Sequence, residues 1–102
     1  MVNILSLMKR FSIDKKPLDI QLELAEKLRL LRKNVNMSQA ELAHRSGVSL
    51  GSLKRFESTG RISLEFLLQL VEILDRLSEF ESLLLPKKDL SHIEKLFSDK
   101  TP

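Results

Sequence analysis

Cysteine, tryptophan and tyrosine are absent from the chain. Without thiols there can be no disulfide, no thiolate metal site and no cysteine nucleophile, which is the usage expected in a reducing compartment. Aromatics are sparse, with five Phe in all, and only three Gly and three Pro interrupt the 102 residues. Such a composition is that of a globular chain rich in helix formers rather than of a disordered one. No apolar run reaches the roughly 20 residues that span a bilayer. The opening MVNILSLMKRFSI is apolar in part, but Lys9 and Arg10 follow its apolar stretch and no small-residue cleavage site appears, so a secretory signal is not expected. These absences point to a cytoplasmic protein without membrane contact, stabilised by packing. Its length accommodates one domain with one core.

What is present is basic charge in one place. Between residues 24 and 62 the cations Lys27, Arg29, Arg32, Lys33, Arg45, Lys54, Arg55 and Arg61 face only Glu26, Glu41 and Glu57. Residues 1–23 are nearly balanced, and residues 63–102 carry more acidic than basic side chains. A net charge of +3 is modest, but its concentration in the middle of the chain marks where a polyanion would be met.

Apolar residues at Ile20, Leu24, Leu28, Leu31 and Val35 predict a first helix with one packed face, with Asp19 as its N-cap. Asn34 to Met37 interrupts it. Ser38-Gln39-Ala40-Glu41 has capping-box spacing and predicts a second helix starting at Gln39. Gly47, followed by Val48 and Ser49, ends that helix in a sharp turn. Ser49 then caps a third helix running to Phe56 or Glu57, and Ser63 caps a fourth that carries Leu64, Leu67, Leu68, Val71 and Leu74. A second capping-box spacing, Ser78 to Glu81, predicts a short fifth helix that ends before Pro86. The expected organisation is an N-terminal arm at 1–18, an all-α five-helix domain at 19–85 and a C-terminal tail at 86–102. The arm reads as strand or helix. The tail is expected to hold a short helix after the Ser91–Glu94 capping box.

The second and third helices, joined by Gly47-Val48-Ser49, form a helix-turn-helix over 38–57, with Ala43 at the crossing and Val48 and Leu53 directed into the core. Such a pair lets its second helix protrude into a DNA major groove. At this point Leu24–Arg32, Ser38–Ala43, Gly47-Val-Ser49, Leu53-x-x-Phe-Glu57 and Ser63–Leu68 together resemble the phage-repressor and Cro class of helix-turn-helix regulators, the XRE family, over about residues 22–80. The loop Ser58–Ile62 is about one residue shorter than the family pattern, which is ordinary loop variation.

The resemblance implies a lambda-repressor-like DNA-binding domain with short extensions, acting as a sequence-specific transcriptional regulator and repressor on double-stranded DNA. It implies phosphate contact at Gln39 and base reading at Leu50, Gly51, Lys54 and Arg55. Ser49 and Ser52 fit backbone contacts, and Arg61 fits a phosphate. Leu50 and Gly51 cannot make the bidentate hydrogen bonds that Arg, Asn or Gln make to base edges, so direct readout is thin. Arg32 and Glu57 resemble the family's partly buried structural ion pair. Ser52–Gly60 with Ile62–Glu65 is further similar to HipB-like antitoxins, which implies an autoregulating toxin–antitoxin operon and a HipA-like kinase partner.

A single recognition helix buries little surface, so a homodimer is expected, through Leu77, Phe80, Leu83, Leu84 and Leu85 or through the arm. His44 and His92 lie far apart without carboxylates at ligand spacing, and there is no Gly-rich phosphate loop, no Ser with a plausible base and no pair of carboxylates set in an apolar context. No metal, no cofactor and no enzymatic activity are therefore expected. The competing class is a protein-interaction module that keeps the helix-turn-helix scaffold without reading DNA.

Overall fold

A computed structural model describes residues 14–86, which contain five α-helices and no strand. They are α1 (Pro17–Asn34), α2 (Gln39–Ser46), α3 (Leu50–Thr59), α4 (Leu64–Ile73) and α5 (Ser78–Glu81). The arm up to residue 13 and the tail from residue 87, with the strand or helices expected in them, lie outside the described residues. Among the described residues no helix is long and apolar enough to cross a membrane, and no group of three or more His, Cys, Asp or Glu could hold a metal ion.

Local chemistry sets most helix ends. Ser38, Ser49 and Ser63 each accept a backbone N–H two or three residues into the following helix, from Glu41, Ser52 and Phe66 at 3.0, 3.1 and 3.0 Å. At Ser38 only half of the expected reciprocal box forms, because the Glu41 carboxylate turns to Arg45 at 3.3 Å. Gly47 and Gly60 end α2 and α3 in the left-handed conformation, with φ of 77° and 76°.

Two expected caps are corrected. Asp19 is not the N-cap of α1: the helix begins at Pro17, whose missing N–H costs nothing there, and Asp19 reaches back to accept the Lys16 backbone N–H at 2.8 Å. Ser78 does not cap α5 either; Leu77 occupies that place without a side-chain bond, and Ser78 is already helical. The third helix also runs beyond Glu57 to Thr59.

The core gathers Ala25 and Leu28 from α1, Met37 from the following loop, Leu42 and Ala43 from α2, Val48, then Leu53 and Phe56 from α3, and Leu67, Leu70 and Val71 from α4. Leu42, Leu53, Phe56 and Leu70 are almost wholly buried, each contributing roughly 1.5–3 kcal/mol of transfer free energy. The buried face of α1 differs from the expected stripe. Ala25, Leu28 and Arg32 define it, while Ile20 and Val35 are 45% and 53% exposed. Helix α3 packs against both α1 and α2, and α4 supports α2 from behind. Close approach of α3 to α1 depends on Gly60, since a Cβ there would lie 2.9 Å from the backbone carbon of Gln21. The Gln21 amide seals the contact by donating to the Gly60 carbonyl at 3.1 Å.

Candidate nucleic-acid interface

The α2–α3 turn is held from three directions. Ala43 lies buried at the crossing, and Val48 at 2% exposure plugs the corner. The Ser46 hydroxyl donates to the Ala43 carbonyl and accepts the Val48 N–H, each at 3.2 Å. From α4, the Gln69 amide donates to the Ser46 carbonyl at 3.3 Å. With its inner face committed through Leu53 and Phe56, α3 directs Leu50, Gly51, Lys54 and Arg55 outward.

Arg32 and Glu57 meet across 25 residues of sequence in a bidentate pair. The Arg32 Nε donates to Glu57 Oε2 and its NH2 to Oε1, both at 2.9 Å, with side chains only 8% and 5% exposed. The remaining guanidinium nitrogen donates to the Met37 carbonyl at 2.9 Å. One buried cation thus ties α1, the α1–α2 loop and the end of α3 together, with each of its three nitrogens donating a hydrogen bond as burial demands. Gln39 joins the same group, its Nε2 donating to Glu57 Oε1 at 2.9 Å. The half-buried Gln39 side chain is therefore oriented at the N-terminus of α2, where backbone N–H groups favour an anion.

The outward residues are differently provided. Arg29, Arg45 and Arg76 pair with Glu26, Glu41 and Glu79, whereas Lys54, Arg55 and Arg61 make no ion pair among the described residues. All three are exposed. Arg55 and Arg61 line a cavity of about 250 Å³ with Ser52, Ile62, Ser63 and Phe66, beside the N-terminus of α4. Thr59 shapes this corner, donating to the Arg55 carbonyl at 2.6 Å and accepting the Arg61 N–H at 3.2 Å. At the tip of α3, Ser49 Oγ both caps Ser52 N and donates to Ser52 Oγ at 2.9 Å, so part of its hydrogen-bonding capacity serves the fold. Leu50 is 37% exposed, and Gly51 borders open space.

Every site residue named from sequence therefore lies in one of two clusters: the buried Arg32–Glu57 pair with Gln39, or the outward set of Ser49, Leu50, Gly51, Ser52, Lys54, Arg55 and Arg61. Sequence reading missed Met37, Thr59 and Gln69. Thr59 was findable, since a Thr before Gly at a helix end commonly bonds its own backbone. Met37 acts through its carbonyl and Gln69 across a tertiary contact, and neither leaves a local signature. Pairing of a preformed, protruding helix with unneutralised cations suits a polyanion whose groove admits a helix.

The model of HTH_3, described as helix-turn-helix, matches residues 28–81, from the middle of α1 through α5. No curated protein and no solved structure matches the chain.

Proposed function

The chain belongs to the XRE-type helix-turn-helix family HTH_3, and from that premise we propose that it is a cytoplasmic, sequence-specific repressor that binds operator DNA as a homodimer. One observation carries the DNA-facing part of this reading: Lys54, Arg55 and Arg61 stand exposed around α3 without an ion pair among the described residues, as Lys27 and Lys33 do on α1, whereas Arg29, Arg45 and Arg76 are paired. In this reading α3 enters the major groove. Lys54 and Arg55 contact guanine edges or flanking phosphates, and Arg61 and the α4 N-terminus hold a phosphate at the Arg55 cavity. Gln39, braced by Glu57, contacts the opposite strand's backbone.

Dimerisation is supported by the surface around α5. Leu83, Leu84 and Leu85 are 58%, 100% and 55% exposed, and Leu84 holds a left-handed φ of 65° that a branched side chain adopts only at a cost. Packing these leucines against a second copy would remove apolar surface from water and set two half-sites about 34 Å apart. An antitoxin role with a HipA-like kinase is the narrower form of the proposal; it rests on the similarity of Ser52–Gly60 and Ile62–Glu65, and a kinase-like reading frame beside this one is its first requirement.

The test is a gel-shift titration of the full chain against duplex DNA from its own promoter at two salt concentrations. Specific binding that weakens as salt rises supports the proposal. Binding no tighter than that of serum albumin overturns it in favour of an interaction module on a helix-turn-helix scaffold.

A further inference from the structure

Gly51 is the one glycine that neither a positive φ nor a close contact accounts for. Gly47 and Gly60 sit at positive φ, and Gly60 is also pressed against Gln21. Gly51 has neither reason: its backbone is helical without a positive φ, and a Cβ built on it would meet nothing within 4 Å. Glycine is among the poorest helix formers, so its presence in the first turn of α3 works against the helix. What the missing Cβ does leave is open space at the first turn, where something can approach the helix from outside.

The neighbours of Gly51 say what that is. Leu50 is exposed beside it, and its side chain offers neither a donor nor an acceptor. Lys54 lies one turn from Leu50, and Arg55 one turn from Gly51, so a smooth apolar tip is bordered by two cations without an ion pair among the described residues. The cations draw this tip onto a polyanion; the first-turn N–H groups of Leu50 and Gly51 can still donate, but their side-chain surface can make only apolar contact. In the DNA major groove one exposed apolar group exists, the C5 methyl of thymine.

We infer that Leu50 and Gly51 form a thymine-reading tip: the missing Cβ at Gly51 lets the first turn of α3 seat against the base edges, and Leu50 packs on a thymine methyl. This rests on the proposed binding of duplex DNA. Specificity at that base pair then comes from shape and a methyl group rather than from hydrogen bonds.

The experiment has two stages that separate this inference from its premise. First, the full-length protein selects from a randomised duplex library. If no duplex is enriched over a non-specific competitor, DNA reading itself fails and the thymine tip with it. Given an enriched duplex, each thymine is replaced in turn by deoxyuridine, which removes the methyl and keeps every hydrogen-bonding group. Wild-type protein is expected to lose about fourfold in affinity at one thymine per half-site, and Leu50→Ala to show no such loss at that position. Enrichment followed by uniform indifference to deoxyuridine overturns the inference while leaving DNA binding intact.

Gly51→Ala supplies the second readout. It is expected to raise Tm by about 3–6 °C and to weaken binding to the enriched duplex about tenfold. A more stable variant that binds as tightly as wild type would show that nothing approaches Gly51 closely.

Discussion

On its inner face α3 offers Leu53, Phe56 and the Glu57 carboxylate, and each is matched: the two apolar side chains are almost wholly buried and the carboxylate takes bonds from Arg32 and Gln39. On its outer face Lys54 and Arg55 have no ionic partner among the described residues, Leu50 is exposed, and Gly51 borders open space. Seven of the ten residues of one helix thus divide into a set explained by the fold and a set for which the described residues supply no partner. The division teaches where to look for function, because free energy spent on neither packing nor pairing is available for a ligand. It also states what substitutions should do: changes on the inner face alter stability, and changes on the outer face alter binding.

The largest effect is expected at the core. Phe56→Ala leaves a cavity where α1, α2 and α3 meet and should cost about 3–5 kcal/mol, enough to abolish a cooperative melt in a domain of marginal stability. Arg32→Ala comes next. It strands a carboxylate that is only 5% exposed and also releases the Met37 carbonyl, so a loss of about 3 kcal/mol is expected. Arg55→Ala, by contrast, should melt within about 0.5 kcal/mol of wild type. Equal melting temperatures for the Arg32 and Arg55 variants would erase the distinction between the faces.

The two cap glycines give a finer comparison. Both hold positive φ, so alanine is strained at either by about 1–2 kcal/mol. Only at Gly60 would the new Cβ also meet backbone, at 2.9 Å from Gln21, whereas at Gly47 the nearest atom is a Gln69 amide nitrogen at 3.7 Å. Urea unfolding should therefore rank Gly60→Ala below Gly47→Ala by at least about 1 kcal/mol. The smallest effect is expected from Glu41→Ala, which removes an exposed pair with Arg45 worth about 0.3–0.5 kcal/mol; a larger drop would mean that the Ser38 cap depends on Glu41 more than its half-formed box implies.

Much of this was legible in the sequence because it is local. Ser38, Ser49 and Ser63 announce their helices, and Gly47 announces the turn, since caps and left-handed residues are decided within four or five positions. The same spacing misled at Ser78–Glu81, where the chain enters the helix at Leu77 without a side-chain cap. At Asp19 the residue type was right and the register wrong, because Pro17 tolerates the first helical position. Phase was misjudged on α1 for another reason. Its buried face centres on Ala25 and Arg32, one small and one charged, and neither counts in a search for large apolar side chains. The burial of Arg32 is decided by Glu57, 25 residues away, and the closeness of Gly60 to Gln21 by the packing of α3 on α1. Long-range pairings of this kind have no local signal; the Arg32–Glu57 pair was named only because family resemblance carried it.

Contact with a polyanion through Lys54 and Arg55, which have no ionic partner among the described residues, is the function expected of the outer face of α3. It is tested most directly by fluorescence anisotropy of the full chain and of a Lys54→Ala/Arg55→Ala variant with a labelled random-sequence duplex, titrated across a salt series. Unchanged Tm and a log–log salt slope smaller in magnitude by about 2 are expected in the variant. Equal slopes and affinities for the two proteins, at equal stability, would contradict it.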